Sequence, residues 1–221
     1  MLELLLPLLD DLKPAFGETF LMVGISSFFA IAGGLPLGFL LYITERRLFW
    51  ENQAAHAIGN VLVNVIRSLP FVILLVLLLP FTQWVLGTTI GPAAAAVPLS
   101  VAAIAFYARL VEGALCEVDP GIVEAAQAFG ASPLRIVGSV LLREALPGLL
   151  RGLTVTLISL IGYSAMAGIV GGGGVGDLAI RFGYYRYQTD VMIVTVIALV
   201  ILVQAVQALG DLAARRADKK G

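Results

Sequence analysis

The chain of 221 residues has a single cysteine, Cys116, and a single histidine, His56. One thiol cannot close an internal disulfide, and one Cys with one His falls short of the donor set of a structural zinc site, so dithiol and zinc chemistry are excluded as organising themes. Charge is scarce too: 13% of residues are charged, the formal net charge is −1, and the Lys and Arg residues are dispersed. That pattern lacks the clustered basic footprint of a nucleic-acid binder. No G-x-x-x-x-G-K-[ST] segment exists, so this chain binds no ATP through a P-loop. Residues 1–11 are apolar but acidic, without a basic n-region or small-residue cleavage site, and are expected to stay on the mature protein.

What the chain has is apolar surface. A hydrophobic fraction of 59% and a mean hydropathy of +0.97 exceed what a soluble domain of this length needs for its core. The surplus is expected to face lipid. Crossing a hydrocarbon layer of ~30 Å takes a helix of roughly 20 apolar residues. Charge-free stretches of that kind run over residues 19–44, 68–108, 152–176 and 191–210. The second is twice the length of one span and must fold back, most naturally at residues 82–92, where Gln83, Gly87, Thr88, Thr89, Gly91 and Pro92 gather beside Trp84. The expected fold is an all-α integral membrane protein with five transmembrane helices in one domain, residues 1–221.

Five crossings put the two ends on opposite sides. One set of loops carries Arg46, Arg47, Arg135, Arg143, Arg151, Arg215, Arg216, Lys219 and Lys220; the other carries Lys13, Arg181 and Arg186. Cytoplasmic loops hold the excess of Lys and Arg, so the N-terminus is expected outside and the C-terminus inside. Arg67 and Arg109 are left out as lying within spans, toward the cytoplasmic half.

The longest hydrophilic insertion, residues 116–151, then faces the cytoplasm. Asp119 can cap a short helix with Pro120 in its first turn, and Gly130 can end it in the left-handed conformation; Ser132 and Pro133 repeat the start. Glu124-Ala125-Ala126 lies on the first helix, where two alanines leave low relief for another protein to approach and Glu124 supplies an orienting charge. The spacing reads equally well as an ordinary amphipathic surface loop.

Polar residues inside spans are costly in lipid and therefore informative. Asn60, Asn64, Arg67 and Ser68 share one face of the second helix, and Thr156, Ser159, Tyr163 and Met166 share one face of the fourth. Each face is expected toward protein or a watery path, as a translocation surface or as plain interhelical hydrogen bonding and packing. His56 reads as a loop or interface residue. Gly171, Gly173 and Gly176 satisfy G-x-G-x-x-G, but follow a membrane helix with no βαβ unit, which points to tight packing or a bend rather than a dinucleotide.

Glu124-Ala125-Ala126, three residues, then Gly130 resembles the cytoplasmic EAA loop of permeases of ATP-binding-cassette importers. The pattern continues in Val140 and Leu142, although Arg143 stands where proline is usual and a Leu146-Pro147 pair follows. Three stretches narrow the resemblance to the methionine-uptake permeases: Arg67-Ser68-Leu69-Pro70-Phe71, residues 124–150, and residues 171–181 with 187–192. The resemblance implies a type I importer permease fold in a bacterial inner membrane. It implies a homodimer working with two ATPase subunits and an extracytoplasmic binding protein. Glu124, Ala125, Ala126 and Gly130 would then couple to the ATPase, which uses ATP and Mg while this chain binds no cofactor. Asn64, Arg67, Ser68, Ser159, Tyr163 and Met166 would line the path of methionine or a related small amino acid.

Two rival readings have specific requirements. An ion-coupled secondary transporter ordinarily needs a carboxylate within the membrane; the charge-free spans offer none, and Glu112 comes nearest. An intramembrane hydrolase needs a nucleophile with a base, which a lone His56 supports poorly.

Overall fold

The computed structural model describes residues 2–45 and 50–218, with residues 2–9 as backbone path alone. Arg46, Arg47, Lys219 and Lys220, four of the nine basic residues assigned to the cytoplasmic side, lie outside the described residues. The described chain is helical throughout. α1 (Leu2–Phe29) passes through a π-helical turn, Ala30–Gly34, into α2 (Leu35–Ile43). α3 (Gln53–Ser68), α4 (Phe71–Leu77) and α5 (Leu79–Leu86) follow. Then come α6 (Pro92–Cys116), α7 (Pro120–Ala128), α8 (Pro133–Arg135), α9 (Leu142–Glu144), α10 (Leu146–Ala167), α11 (Gly174–Leu178) and α12 (Thr189–Ala217).

Among the described residues four helices are long and apolar enough to span a membrane: Asp10–Ile43, Pro92–Cys116, Leu146–Val170 and Thr189–Ala217. The pair α3 and α4, bent by 106°, is apolar enough together to form a fifth, broken span. Proline explains the bend. The residue before a proline is pushed out of the α region, and Leu69 sits at φ −83°, ψ 131° ahead of Pro70, which has no amide hydrogen to give. This second apolar segment begins at Gln53, ahead of Asn60, and breaks at Leu69 and Pro70. The expected turn falls between Gly87 and Gly91, both at positive φ. The fourth crossing ends sooner than residue 176. A 3-10 turn, Gly168–Val170, closes α10 at Gly171 (φ +84°), and the chain folds back into α11.

α6 is the hub. Two thirds of its apolar window (67%) is buried, against 11% for α12 and 22% for the first span, which leave most of their surface for lipid or another chain. Lipid supplies no hydrophobic drive between helices, so close packing of small residues must do it. α1, α2 and α10 all pack on α6. At Gly38 a Cβ would stand 2.6 Å from the Ala108 carbonyl, so only glycine permits that crossing. The core runs from Met22 through Leu99, Tyr107 and Leu115 to Leu141 and Leu149.

Candidate functional site

The segment between α6 and α10 is built as the sequence suggested, with one division of labour that spacing did not show. The Asp119 carboxylate accepts from the Gly121 amide at 2.8 Å, and Pro120 occupies the first turn of α7. At the other end Gly130 (φ +76°) lets its amide reach the Gln127 carbonyl at 2.9 Å and the Ala131 amide reach Ala126 at 3.1 Å. This paired geometry satisfies the last carbonyls of a helix and favours glycine. Pro133 starts the second arm, whereas the Ser132 hydroxyl makes no capping bond. Arg143 is accommodated in α9, and Leu146-Pro147 opens α10 instead. Within α7 the motif splits. Val123 is buried and Ala126 packs half-buried against the core, while Glu124 and Ala125 face outward with Phe129, which is 92% exposed. Ala126 thus helps seat α7 on the core, while Glu124 and Ala125 form its outer surface.

The polar stripe of α3 divides as well. Asn60 and Asn64 turn to α6, where Arg109 donates to Asn64 Oδ1 at 2.7 Å and also to Asn60 Oδ1. The same guanidinium pairs with Glu112 at 2.6 Å, a residue only 8% exposed. Composition did not single out Arg109 as a hub; the signal was the match between two Asn one turn apart on α3 and an Arg-x-x-Glu pair on α6. Ser68 donates back to the Asn64 carbonyl at 2.7 Å. Arg67 takes no part in this network. It borders a cavity of about 120 Å³ with Phe71, Leu74, Ala102, Phe106 and Tyr163. Its neighbours Ala102 and Phe106 lie near the middle of α6, which sets Arg67 beside the middle of that helix.

On α10, Tyr163 stacks on Phe71 with ring centroids 4.7 Å apart and planes 10° from parallel. Thr156 and Ser159 each donate to the carbonyl four residues earlier, at 2.8 and 2.9 Å, the way hydroxyls in membrane helices satisfy themselves. Val155, Gly162, Met166 and Ile169 form an exposed stripe, with the half-buried Ser159 among them. The structure brings Arg67 and Tyr163 to one cavity, places Ser159 and Met166 on an uncovered face beside it, and sends Asn64 into the α6 network.

Sequence reasoning passed over Glu18. Its carboxylate accepts from the Gly174 amide at 2.6 Å, and Thr19 Oγ1 accepts from the Val175 amide at 3.0 Å. These two side chains of α1 cap the free amides of α11, a role the sequence hints at only through a carboxylate at the edge of an apolar run. Gly173 and Gly174, at φ +75° and +87°, allow the approach. His56 ties α3 to α2, its Nδ1 lying 3.0 Å from the Leu41 carbonyl. Among the described residues no group of three or more His, Cys, Asp or Glu converges on one point.

A helical membrane protein with four to five candidate spans and an exposed, doubly capped helix between α6 and α10 has the architecture of an importer permease. Residues 34–220 match the family described as binding-protein-dependent transport system inner membrane component, and the chain belongs to that family. It is 48% identical over 211 residues to the probable D-methionine transport system permease protein MetI of Vibrio cholerae, covering 96% of this chain and 94% of that one. It is 44% identical over 181 residues, 82% of each chain, to the methionine import system permease protein MetP of Bacillus subtilis. A solved structure described as an inward-facing conformation of the MetNI methionine ABC transporter superposes with a TM-score of 0.94 at 46% identity, over 96% of this chain and 99% of that one. An amino acid ABC transporter solved with histidines shares the fold, with a TM-score of 0.74 at 20% identity.

Proposed function

We propose that this chain is the permease subunit of an ATP-driven importer for methionine or a closely related amino acid. It acts as a homodimer with two ATP-binding-cassette ATPase subunits and an extracytoplasmic binding protein in a bacterial inner membrane. The observation that carries this reading is α7: a short helix capped at both ends, seated on the core through Val123 and Ala126, that offers Glu124 and Ala125 to a partner. ATP and Mg belong to the ATPase, and Pro120 to Gly130 transmits its motion. The uncovered stripe containing Ser159 and Met166 supports a second copy and a shared passage at this face. The ion-coupled alternative loses its best candidate, because Glu112 is held by the permanently charged Arg109.

Co-expression with the ATPase and reconstitution into proteoliposomes with the binding protein tests the reading. ATP-dependent methionine uptake that vanishes when the ATPase is omitted is the expected result. Uptake driven by an ion gradient without the ATPase would overturn it.

A further inference from the structure

Arg67 stands apart from both α7 and the network around Arg109. Arg67 occupies the last turn of α3 and is exposed, and among the described residues it has no hydrogen-bond or ion-pair partner. A bare guanidinium at mid-span is costly and marks a solute pathway more often than a lipid-facing surface. Its position makes the charge tolerable, since the C-terminal end of a helix favours a cation, and the 106° break after Ser68 leaves α3's last carbonyls beside it.

The surroundings narrow what Arg67 can meet. Ala102 and Phe106 fix its depth near the middle of α6, away from lipid headgroup phosphates. The adjoining cavity is walled by Phe71, Leu74, Phe106 and Tyr163, the first and last stacked at 4.7 Å. Soft thioether carbon and sulfur pack well against aromatic rings, while a planar guanidinium matches a carboxylate with two parallel hydrogen bonds. One end of the cavity suits the carboxylate of an amino acid and the other its apolar tail.

We infer that Arg67 is the specificity-determining residue for the solute's carboxylate, holding it transiently while the side chain rests against Phe71 and Tyr163. The inference rests on the importer reading and adds to it a chemical criterion: solutes lacking a free carboxylate are passed poorly even when their tails fit.

The test uses the reconstituted complex with Cys116→Ser as background, in parent form and with Arg67→Lys, Arg67→Gln and Arg67→Cys. Assembly and solute-independent ATP hydrolysis should be unchanged in all. Initial methionine uptake should fall about tenfold or more in Arg67→Gln and Arg67→Cys, the scale of one lost charge-assisted hydrogen bond, and less in Arg67→Lys. Treating Arg67→Cys with a cationic aminoethyl thiosulfonate should restore uptake, an anionic sulfonatoethyl reagent should not, and methionine should slow both modifications. Parent-like uptake in Arg67→Gln, or equal effects of the two reagents, overturns the inference. If the parent carries a different amino acid, the methionine reading alone fails, and charge restoration with that amino acid decides the role of Arg67.

Discussion

The Glu18 carboxylate and the Gly174 amide meet at 2.6 Å across 156 residues of chain, tying the first span to the loop that follows the fourth. Capping by a charged acceptor contributes about 1.5–3 kcal/mol. Glu18→Ala should therefore lower the thermal unfolding midpoint of the detergent-purified permease, and Glu18→Gln, which keeps a carbonyl acceptor, should lower it less. Gly174→Ala should be worse than either, because φ is +87° and the new Cβ would stand 2.7 Å from Thr19 Oγ1. Parent-like melting of all three variants would reduce the contact to a bystander.

On α7, the different exposures of Ala125 and Ala126 make two enlargements separable. Ala125→Phe should leave the permease folded yet prevent stable capture of the ATPase, seen as loss of co-purification. Ala126→Phe overfills a packed site at a cost of about 1–3 kcal/mol and should lower permease stability itself. Gly130→Ala meets open space but strains a left-handed residue by about 1 kcal/mol, with uncoupled ATP hydrolysis as the expected sign.

The Arg109 and Glu112 pair is structural on the present geometry. Removing one partner of a buried pair costs about 3–5 kcal/mol, less where one group keeps some contact with water; Arg109 retains 27% side-chain exposure. Glu112→Leu or Arg109→Met alone should destabilise the permease, while the double variant should recover the part due to the unpaired charge, though not the bonds Arg109 gives Asn60 and Asn64, and still transport. A double variant that is stable but has lost uptake would return Glu112 to the list of transport residues.

Much of this was legible in the sequence because membrane insertion writes itself in long apolar runs and caps write themselves in local residue types. The 82–92 turn, Asp119-Pro120 and Gly130 are local signals, and each is found where it was read. The misses are long-range. The shared face of Asn60 and Asn64 predicts a contact with protein or water inside the span, but nothing nearby names the partner, Arg109, 49 and 45 residues away. The Glu18 cap depends on Gly174 in the same way. Ala126 could not be told from Ala125 until the face that packs on the core was known.

The Lys and Arg asymmetry predicts an external N-terminus, and thiol labelling tests it. In a Cys116→Ser background, Lys13→Cys in intact cells should react with an impermeant thiol reagent, and Arg216→Cys should react only after the membrane is opened. Labelling of both in intact cells rules out an odd number of crossings with this orientation.

The last prediction separates passage from packing on α10. Tyr163 stacks its ring on Phe71 and borders the Arg67 cavity, and Tyr163→Phe keeps the ring while removing the hydroxyl. The stack is worth about 0.5–1.5 kcal/mol beyond buried area, so Tyr163→Phe should melt like the parent whereas Tyr163→Ala should not. Met166 is 43% exposed in the isolated subunit, so Met166→Ala creates no cavity there and should leave its stability unchanged. If this face lines the passage, Tyr163→Phe and Met166→Ala will assemble with the ATPase normally and differ from the parent in uptake rate or solute preference at matched expression. If the face only packs copy against copy, Met166→Ala will weaken assembly and Tyr163→Phe will transport like the parent. Parent-like uptake by both variants, with assembly intact, would remove this face from the path and leave Arg67 to be reached from the α4 side alone.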